Sequence, residues 1–366
     1  NHSKINDIRR IAILAAINAH GTKLEENVMA SSQKPAIAIT MGDPCGIGPE
    51  VVVKAMADPR VYATCRPLVV GNVYAMEQAV SLTGLPVKIN EVEDPATSGQ
   101  EPGIIDVVDI HNLNPEDITI GEISPTCGKA AMEWVTKAGE LAMAGVVDAL
   151  ATAPLNKEAA SLAGYKSIGH MELLQELSKS KLVATMLMAK NLRVVHLSTH
   201  RSLSLACELV KKDRVLDYLK LTHDSFVTYG FKIPRIGVAA LNPHGSDGGL
   251  MGDEEASEIA PAVEAARSEG IKAIGPIPAD VIFHQAIQGQ YDAVLCMYHD
   301  QGHIPVKVYG FEESITANLG LPFVRTSVDH GTAFDIAGKG VASHESMLES
   351  IRLAVALAQG NGLSDF

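Results

Sequence analysis

Aromatic side chains are scarce in this 366-residue chain, at 4% with a single Trp. Ala, Val, Ile and Leu must therefore fill the interior, as in many α/β enzymes, and a hydrophobic content of 46% is enough for a sizeable core. Basic residues are also in short supply. Lys and Arg number 30 against 43 Asp and Glu, a net charge of −13. A general nucleic-acid binder needs a basic face, so that class is disfavoured. An anionic small molecule is not excluded, because a few placed cations suffice locally. The five cysteines (Cys45, Cys65, Cys127, Cys207 and Cys296) contain no C-x-x-C pair. An odd, scattered set in so long a chain argues against a disulfide framework and for a reducing, cytoplasmic setting. No apolar run reaches the roughly 18 residues of a membrane helix. There is no Walker A sequence, G-x-S-x-G elbow or G-x-G-x-x-G fingerprint, so those routes to nucleotide and acyl chemistry are disfavoured.

What is present is a rhythm of short apolar runs, each followed by a helical stretch. The runs are Ala36 to Thr40, Pro67 to Gly71, Ile104 to Ile110, Asp148 to Thr152, Leu182 to Met188, Leu192 to Ser198, Ile236 to Leu241 and Tyr291 to Met297. Helical stretches are predicted from Pro49 to Met56, Thr126 to Ala144, from Leu155 onward, from Asp253, and from Leu348 to Leu357. This alternation predicts an α/β fold with a mixed or parallel sheet. Residues 93–103 read as a flexible loop. Residues 1–33 read as an N-terminal extension outside the core, either a helix or a loose arm. Its Arg9-Arg10 pair and the apolar Ile11 to Ile17 superficially mimic a weak signal peptide.

Ligands of open α/β sheets gather at the carboxyl ends of strands. Three of the apolar runs are followed by a histidine: His200, His244 in Asn242-Pro243-His244-Gly245, and His299 in Tyr298-His299-Asp300-Gln301-Gly302-His303. Neutral imidazoles in such places suit a divalent transition metal with open positions, although capping or core roles fit each one singly. Lys307 and Arg325 could clamp a phosphate or carboxylate. His170 and Asp280 occupy comparable places. The segment from Asp329 to Gly340 combines three glycines, two acids and a histidine, small and polar enough to wrap an adenosine.

These residues resemble a known family. The stretches Met41-Gly-Asp-Pro-Cys-Gly-Ile-Gly-Pro-Glu50, Ala153-Pro-Leu-Asn-Lys157, Leu241-Asn-Pro-His244, Pro278-Ala-Asp280, Met297-Tyr-His-Asp-Gln-Gly302 and Leu319 to Ala333 are similar to those of 4-hydroxythreonine-4-phosphate dehydrogenases and their paralogues, from about Lys34 onward. The resemblance implies an isocitrate/isopropylmalate dehydrogenase-like fold of two subdomains with an active-site cleft between them. The first would be residues 34–152 plus 318–366. The second, residues 153–317, would carry the metal ligands and a dimer interface.

The resemblance also implies metal ligation by His200, His244 and His299, with zinc favoured and manganese, cobalt or magnesium as alternatives. One of those histidines would come from the partner of a homodimer. Substrate contacts carry over to His170, Met171, Lys307, Thr316 and Arg325, and the catalytic base to Lys307 or Asp280. The cofactor, NAD or NADP, falls on His330, Gly331, Ala333, Asp335 and Gly338; Lys339 is the one cation there suited to a 2′-phosphate. The implied reaction is oxidation of a secondary alcohol followed by decarboxylation of the β-keto acid.

Two positions depart from the family pattern: Met171 replaces a Thr, and Thr316 replaces an Asn. The segment Asp300 to Lys307 looks more like the paralogues acting on 4-phospho-threonate or 4-phospho-erythronate. The expected substrate is thus a small phosphorylated hydroxy acid. A carboxylated cis-dihydrodiol dehydrogenase and an inactive metal- or ligand-binding relative are the competing expectations.

Overall fold

The computed structural model describes residues 34–99 and 101–363, and the expectations placed on residues 1–33 fall outside these. The strands are β1 (Ala36–Thr40), β2 (Arg66–Val70), β3 (Lys88–Glu91), β4 (Ile104–Val108), β5 (Ala149–Thr152), β6 (Ala184–Ala189), β7 (Leu192–His196), β8 (Arg235–Ala239), β9 (Lys272–Ile277), β10 (Ala293–Cys296), β11 (Ile315–Leu319) and β12 (Val324–Val328). Six helices build or brace the site: α1 (Gly48–Met56), α2 (Pro125–Met143), α3 (His170–Ser178), α4 (Ala279–Ile287), α5 (His299–Tyr309) and α6 (Glu345–Gln359).

The strands form one mixed sheet in the order β3-β4-β2-β1-β5-β12-β11-β6-β7-β10-β8-β9. From β3 to β12 the neighbours are parallel. Three antiparallel steps come next, β12 to β11, β11 to β6 and β6 to β7. The last four strands are parallel to one another again. Three reversals make the two parallel blocks run in opposite directions. The continuous burial of β1 and β7 is what parallel strands covered on both faces require.

The apolar interior has two main parts. One is built on β1, β2, β4, β5 and α2, with Trp134 fully enclosed. The other is built on β6 to β11, with Phe226 at its centre. Helix α6 contributes Leu348 and Ile351 to the first and Leu353 and Leu357 to the second, so it packs across the junction. Residues 93–99 and 101–103 are irregular apart from a short turn at Pro95–Thr97. They are tied to the sheet: the Gly99 amide donates to Asp106 Oδ2 at 2.7 Å and Arg66 to the Ala96 carbonyl at 3.0 Å.

The chain leaves β1 through Gly42, whose φ is +76°. A Cβ there would lie 2.4 Å from the Pro154 carbonyl oxygen, beyond the end of β5. Both the left-handed backbone and the close approach demand glycine. We expect Gly42→Ala to destabilise the fold by at least about 2 kcal/mol, measured as a fall in the urea midpoint. An unchanged midpoint would show that the two loops can part without cost.

Candidate active site

A cavity of about 450 Å³ opens over the central strands β12, β11 and β6 and the loop that follows β5. It lies on the face of the antiparallel strands as well as at the strand tips where ligands of open sheets gather. Alternation along a strand places every second side chain on one face. Thr316 and Asn318 of β11, Arg325 and Ser327 of β12, and Thr185 of β6 accordingly line one wall. Register puts Asn318 opposite Thr185 and Thr316 opposite Ser327. Lys157, His170, Met171, Glu172, His200 and the segment Val328 to Gly331 complete the lining.

Arg325 is 5% exposed. Its guanidinium donates to Thr152 Oγ1 (2.6 and 3.1 Å) and to Asn318 Oδ1 (2.8 Å). No carboxylate is within ion-pair distance of it among the described residues. Burial pushes the guanidinium down to about 9, with the charge of Glu172 opposing. A desolvated cation held only by neutral oxygens is costly unless an anion joins it. His170, the first residue of α3, has its Nε2 buried and unpartnered among the described residues. Burial, together with Arg325 and Lys157, holds this imidazole well below its ordinary range. Its ring is neutral, leaving Nε2 free to meet a ligand oxygen or proton.

The two departing positions both face this cavity. Met171 Sδ accepts a hydrogen bond from Thr185 Oγ1 at 3.3 Å, and Thr316 Oγ1 donates to the Ser327 carbonyl at 3.4 Å. Lys307 reaches the rim indirectly. Its ammonium pairs with Asp329 Oδ2 at 2.5 Å and donates to Ser314 Oγ at 2.8 Å.

The three candidate metal ligands follow β7, β8 and β10, which are mutually parallel, so all leave one edge of the sheet. His200 and His299 come together, with ring centroids 5.7 Å apart. His299 is not in a loop; it is the first residue of α5. His244 stands apart on an exposed turn, Pro243–Gly248, beside α4, which carries the exposed Asp280. No three His, Cys, Asp or Glu side chains among the described residues converge tightly enough to hold a metal.

The donor chemistry of the three histidines nevertheless fits one. His299 Nδ1 lies 2.6 Å from Asp300 Oδ1 and His244 Nδ1 3.3 Å from Asp247 Oδ2. A carboxylate at Nδ1 fixes the tautomer and leaves Nε2 for a metal. Burial, then the charges of Lys157 and His299, lowers His200 and keeps it neutral. Both His200 and His244 have positive φ, +42° and +55°. Such strain in residues with side chains accompanies functional sites.

The glycine-rich segment after β12 packs on the loop after β1: the Ile47 amide donates to the Thr332 carbonyl at 3.0 Å. His330 and Gly331 line the 450 Å³ cavity, whereas Gly338 lines a separate, more apolar cavity of about 270 Å³ with Tyr74, Gln78, Leu82 and Ile120. Ala333 adopts φ +43° between them, and Asp335 is exposed. Lys339 donates to the Asp335 carbonyl at 2.7 Å. Sequence reasoning passed over Lys157 as a site residue, and with it Thr185, Asn318 and Asp329. The alternating polar residues of β11 and the polar run of β12 were the available signal.

Known proteins are similar to this chain in sequence and fold. A 4-hydroxythreonine-4-phosphate dehydrogenase from Geobacter metallireducens is 45% identical over 329 residues, 90% of this chain and 97% of that one. A protein of Symbiobacterium thermophilum, provisionally named D-threonate 4-phosphate dehydrogenase, is 45% identical over 325 residues, 89% of this chain and 97% of that one. The crystal structure of 4-hydroxythreonine-4-phosphate dehydrogenase from Klebsiella pneumoniae superposes with a TM-score of 0.83 at 41% identity, covering 89% of this chain and all of that one. The profile of the pyridoxal phosphate biosynthetic protein PdxA family matches residues 63–354. The chain belongs to the PdxA family.

Proposed function

We propose that this NAD(P)-dependent dehydrogenase oxidises the secondary alcohol of a phosphorylated four-carbon hydroxy acid, of the 4-phospho-threonate, 4-phospho-erythronate or 4-phosphooxy-threonine type, and that the β-keto acid then loses carbon dioxide. The observation that carries this reading is Arg325, a buried guanidinium that among the described residues has no carboxylate partner, beside the Nε2 of His170, which has no partner among them either. Arg325, Lys157 and His170 together bind the phosphate; a planar guanidinium and an ammonium are the usual pair for that group.

His200, His244 and His299 would hold a divalent metal, zinc by the preference of imidazole donors, which when bound supplies a Lewis acid for the alcohol oxygen. The segment from His330 through Gly331, Ala333 and Asp335 to Gly338 would hold the nicotinamide cofactor that accepts the hydride. Lys307 and Asp280 are the two groups offered for the alcohol proton. Lys307 reaches the cavity through Asp329, whereas Asp280, like His244, would reach it from a second subunit.

A homodimer with shared sites accounts for the separation of His244 from the other two histidines. Exposed apolar side chains mark where a partner would pack: Leu250 just after the His244 turn, at 86% exposure, and Val308 on α5, at 83%. Residues 153–317 would then form the subdomain carrying this interface, with 34–152 and 318–366 forming the other. No helix among the described residues is long and apolar enough to cross a membrane.

The test is a substrate panel read by absorbance of the reduced cofactor. Phosphorylated four-carbon acids should turn over, and their dephosphorylated forms should lose about 10²-fold or more in kcat/KM. Turnover should stop on chelation and return with a divalent metal. Preference for a carboxylated cis-dihydrodiol, or no turnover at all, would overturn the proposal.

A further inference from the structure

The side chains lining the 450 Å³ cavity include the hydroxyls of Thr185, Thr316 and Ser327 and the carboxamide of Asn318. A hydroxyl has one proton to donate, and a carboxamide has two. The three hydroxyl protons are already spent within the protein. Thr185 Oγ1 donates to Met171 Sδ at 3.3 Å, Thr316 Oγ1 to the Ser327 carbonyl at 3.4 Å and Ser327 Oγ to the Thr152 carbonyl at 3.2 Å. A ligand oxygen could take one of these protons only by breaking a bond already made.

Asn318 is in a different position. It is 2% exposed and held in β11 opposite Thr185 of β6, and its carbonyl accepts from the buried Tyr229 hydroxyl at 3.3 Å. Arg325 decides which way its carboxamide faces. A guanidinium has only donors, so the atom 2.8 Å from Arg325 Nη1 must be Oδ1. Turning the amide over would set its N–H groups against those of the guanidinium. Among the described residues Nδ2 has no hydrogen-bond partner, so both of its protons remain to be given.

The bond through Oδ1 thus ties an unspent neutral donor to the buried cation. A group seated against both must accept from both. An ammonium can only donate and is rejected there. A phosphate has several terminal oxygens and satisfies both donors at once. We propose that Asn318 is a specificity-determining residue whose Nδ2 donates to one terminal oxygen of the substrate phosphate while Arg325 holds another. This rests on the proposed function, which puts the phosphate at Arg325, and it fixes which end of the substrate lies over β11 and β12.

Two measurements on the full-length protein test it. The first uses inorganic phosphate as the probe. In protein labelled with nitrogen-15 in the asparagine side chains, the Asn318 amide pair is the one missing from Asn318→Asp. Phosphate should move this pair over the same concentration range in which it raises the unfolding temperature. Stabilisation without movement would overturn the Asn318 contact and leave the proposed function standing. No stabilisation, with no turnover of any phosphorylated acid, would overturn the phosphate site at Arg325 and the contact together.

The second is steady-state kinetics. Asn318→Ala should raise KM for the phosphorylated acid about ten- to a hundredfold, the range for a hydrogen bond to a charged group, with kcat within about threefold. Its kcat/KM on the dephosphorylated acid should stay within about twofold of wild type. Asn318→Asp keeps the shape and the bond to Arg325, but it has no proton to give and neutralises the guanidinium. Its KM should therefore rise further than that of the Ala variant. An Asp variant less damaged than the Ala variant would assign Asn318 to holding Arg325 in place. Equal loss on phosphorylated and dephosphorylated acids would move the contact to another part of the substrate, and an unchanged KM in the Ala variant would remove it. Each of these three results overturns the proposal.

Discussion

Arg325→Met should abolish productive binding of phosphorylated substrate while leaving the free protein as stable as before, or more so. The guanidinium is enclosed, and it falls from its ordinary range to about 9 because burial disfavours the charge. A base whose folded value is depressed carries a penalty that is present in full below about pH 9 and fades only above it, so neutral buffers contain all of it. Replacing the guanidinium with a thioether of similar length removes that penalty, which for a buried ion is on the order of several kcal/mol. Against this stands the loss of donors for Thr152 Oγ1 and Asn318 Oδ1, at roughly 1–3 kcal/mol for each group left unsatisfied. Thermal unfolding of the free variant should therefore be unchanged or up to about 2 kcal/mol more stable. Its kcat/KM on the phosphorylated acid should fall by about 10²- to 10³-fold, because an anion in that cavity loses its buried partner. Inorganic phosphate should raise the unfolding temperature of the wild type and not of the variant. A variant that unfolds much earlier, with substrate affinity intact, would make Arg325 a structural residue and remove the main support for an anionic substrate.

The parts of the fold that show in the sequence are those built from uninterrupted apolar runs. β1, β2, β4, β5, β8 and β10 lie where such runs occur, because strands covered on both faces have nowhere to place a polar residue. β11 and β12 escape notice for the opposite reason. Ile-Thr-Ala-Asn-Leu alternates, and Val-Arg-Thr-Ser-Val carries three polar residues in a row. The two-residue period of a strand puts Thr316, Asn318, Arg325 and Ser327 into the cavity, so the function of these strands hides their structure. α5 is not legible as a helix because Gly302 and Pro305 interrupt its pattern. Gly302 makes room for His196, since a Cβ there would come 2.5 Å from His196 Nε2, and the helix is what aligns His299, His303 and Lys307. Family resemblance located His170, Met171, Thr316 and Arg325, and all four line one cavity. It could not show that His244 and Asp280 lie elsewhere on the same chain.

Mixing two inactive variants should recover activity. His200→Ala and His244→Ala are each expected to lose at least about 10³-fold in turnover, the several kcal/mol that a Lewis acid supplies at the reacting oxygen. His200 and His299 touch within one chain, and His244 does not join them. If His244 serves the neighbouring subunit, a heterodimer of the two variants has one site carrying both lesions and one carrying neither. Co-expression with random pairing makes half of the dimers mixed, so about a quarter of all sites should be intact and activity should return to about that fraction of wild type. The control pair is His200→Ala with His299→Ala. These residues belong to the same half-site, so every mixed dimer carries a lesion in each site and no activity should return. Recovery by the first pair alone places His244 across the interface. Failure of both pairs, with heterodimers demonstrated by differential tags, would require the turn at Pro243–Gly248 to swing toward its own His200 and His299. In that case the left-handed residues from His244 to Asp247 would be where the chain bends.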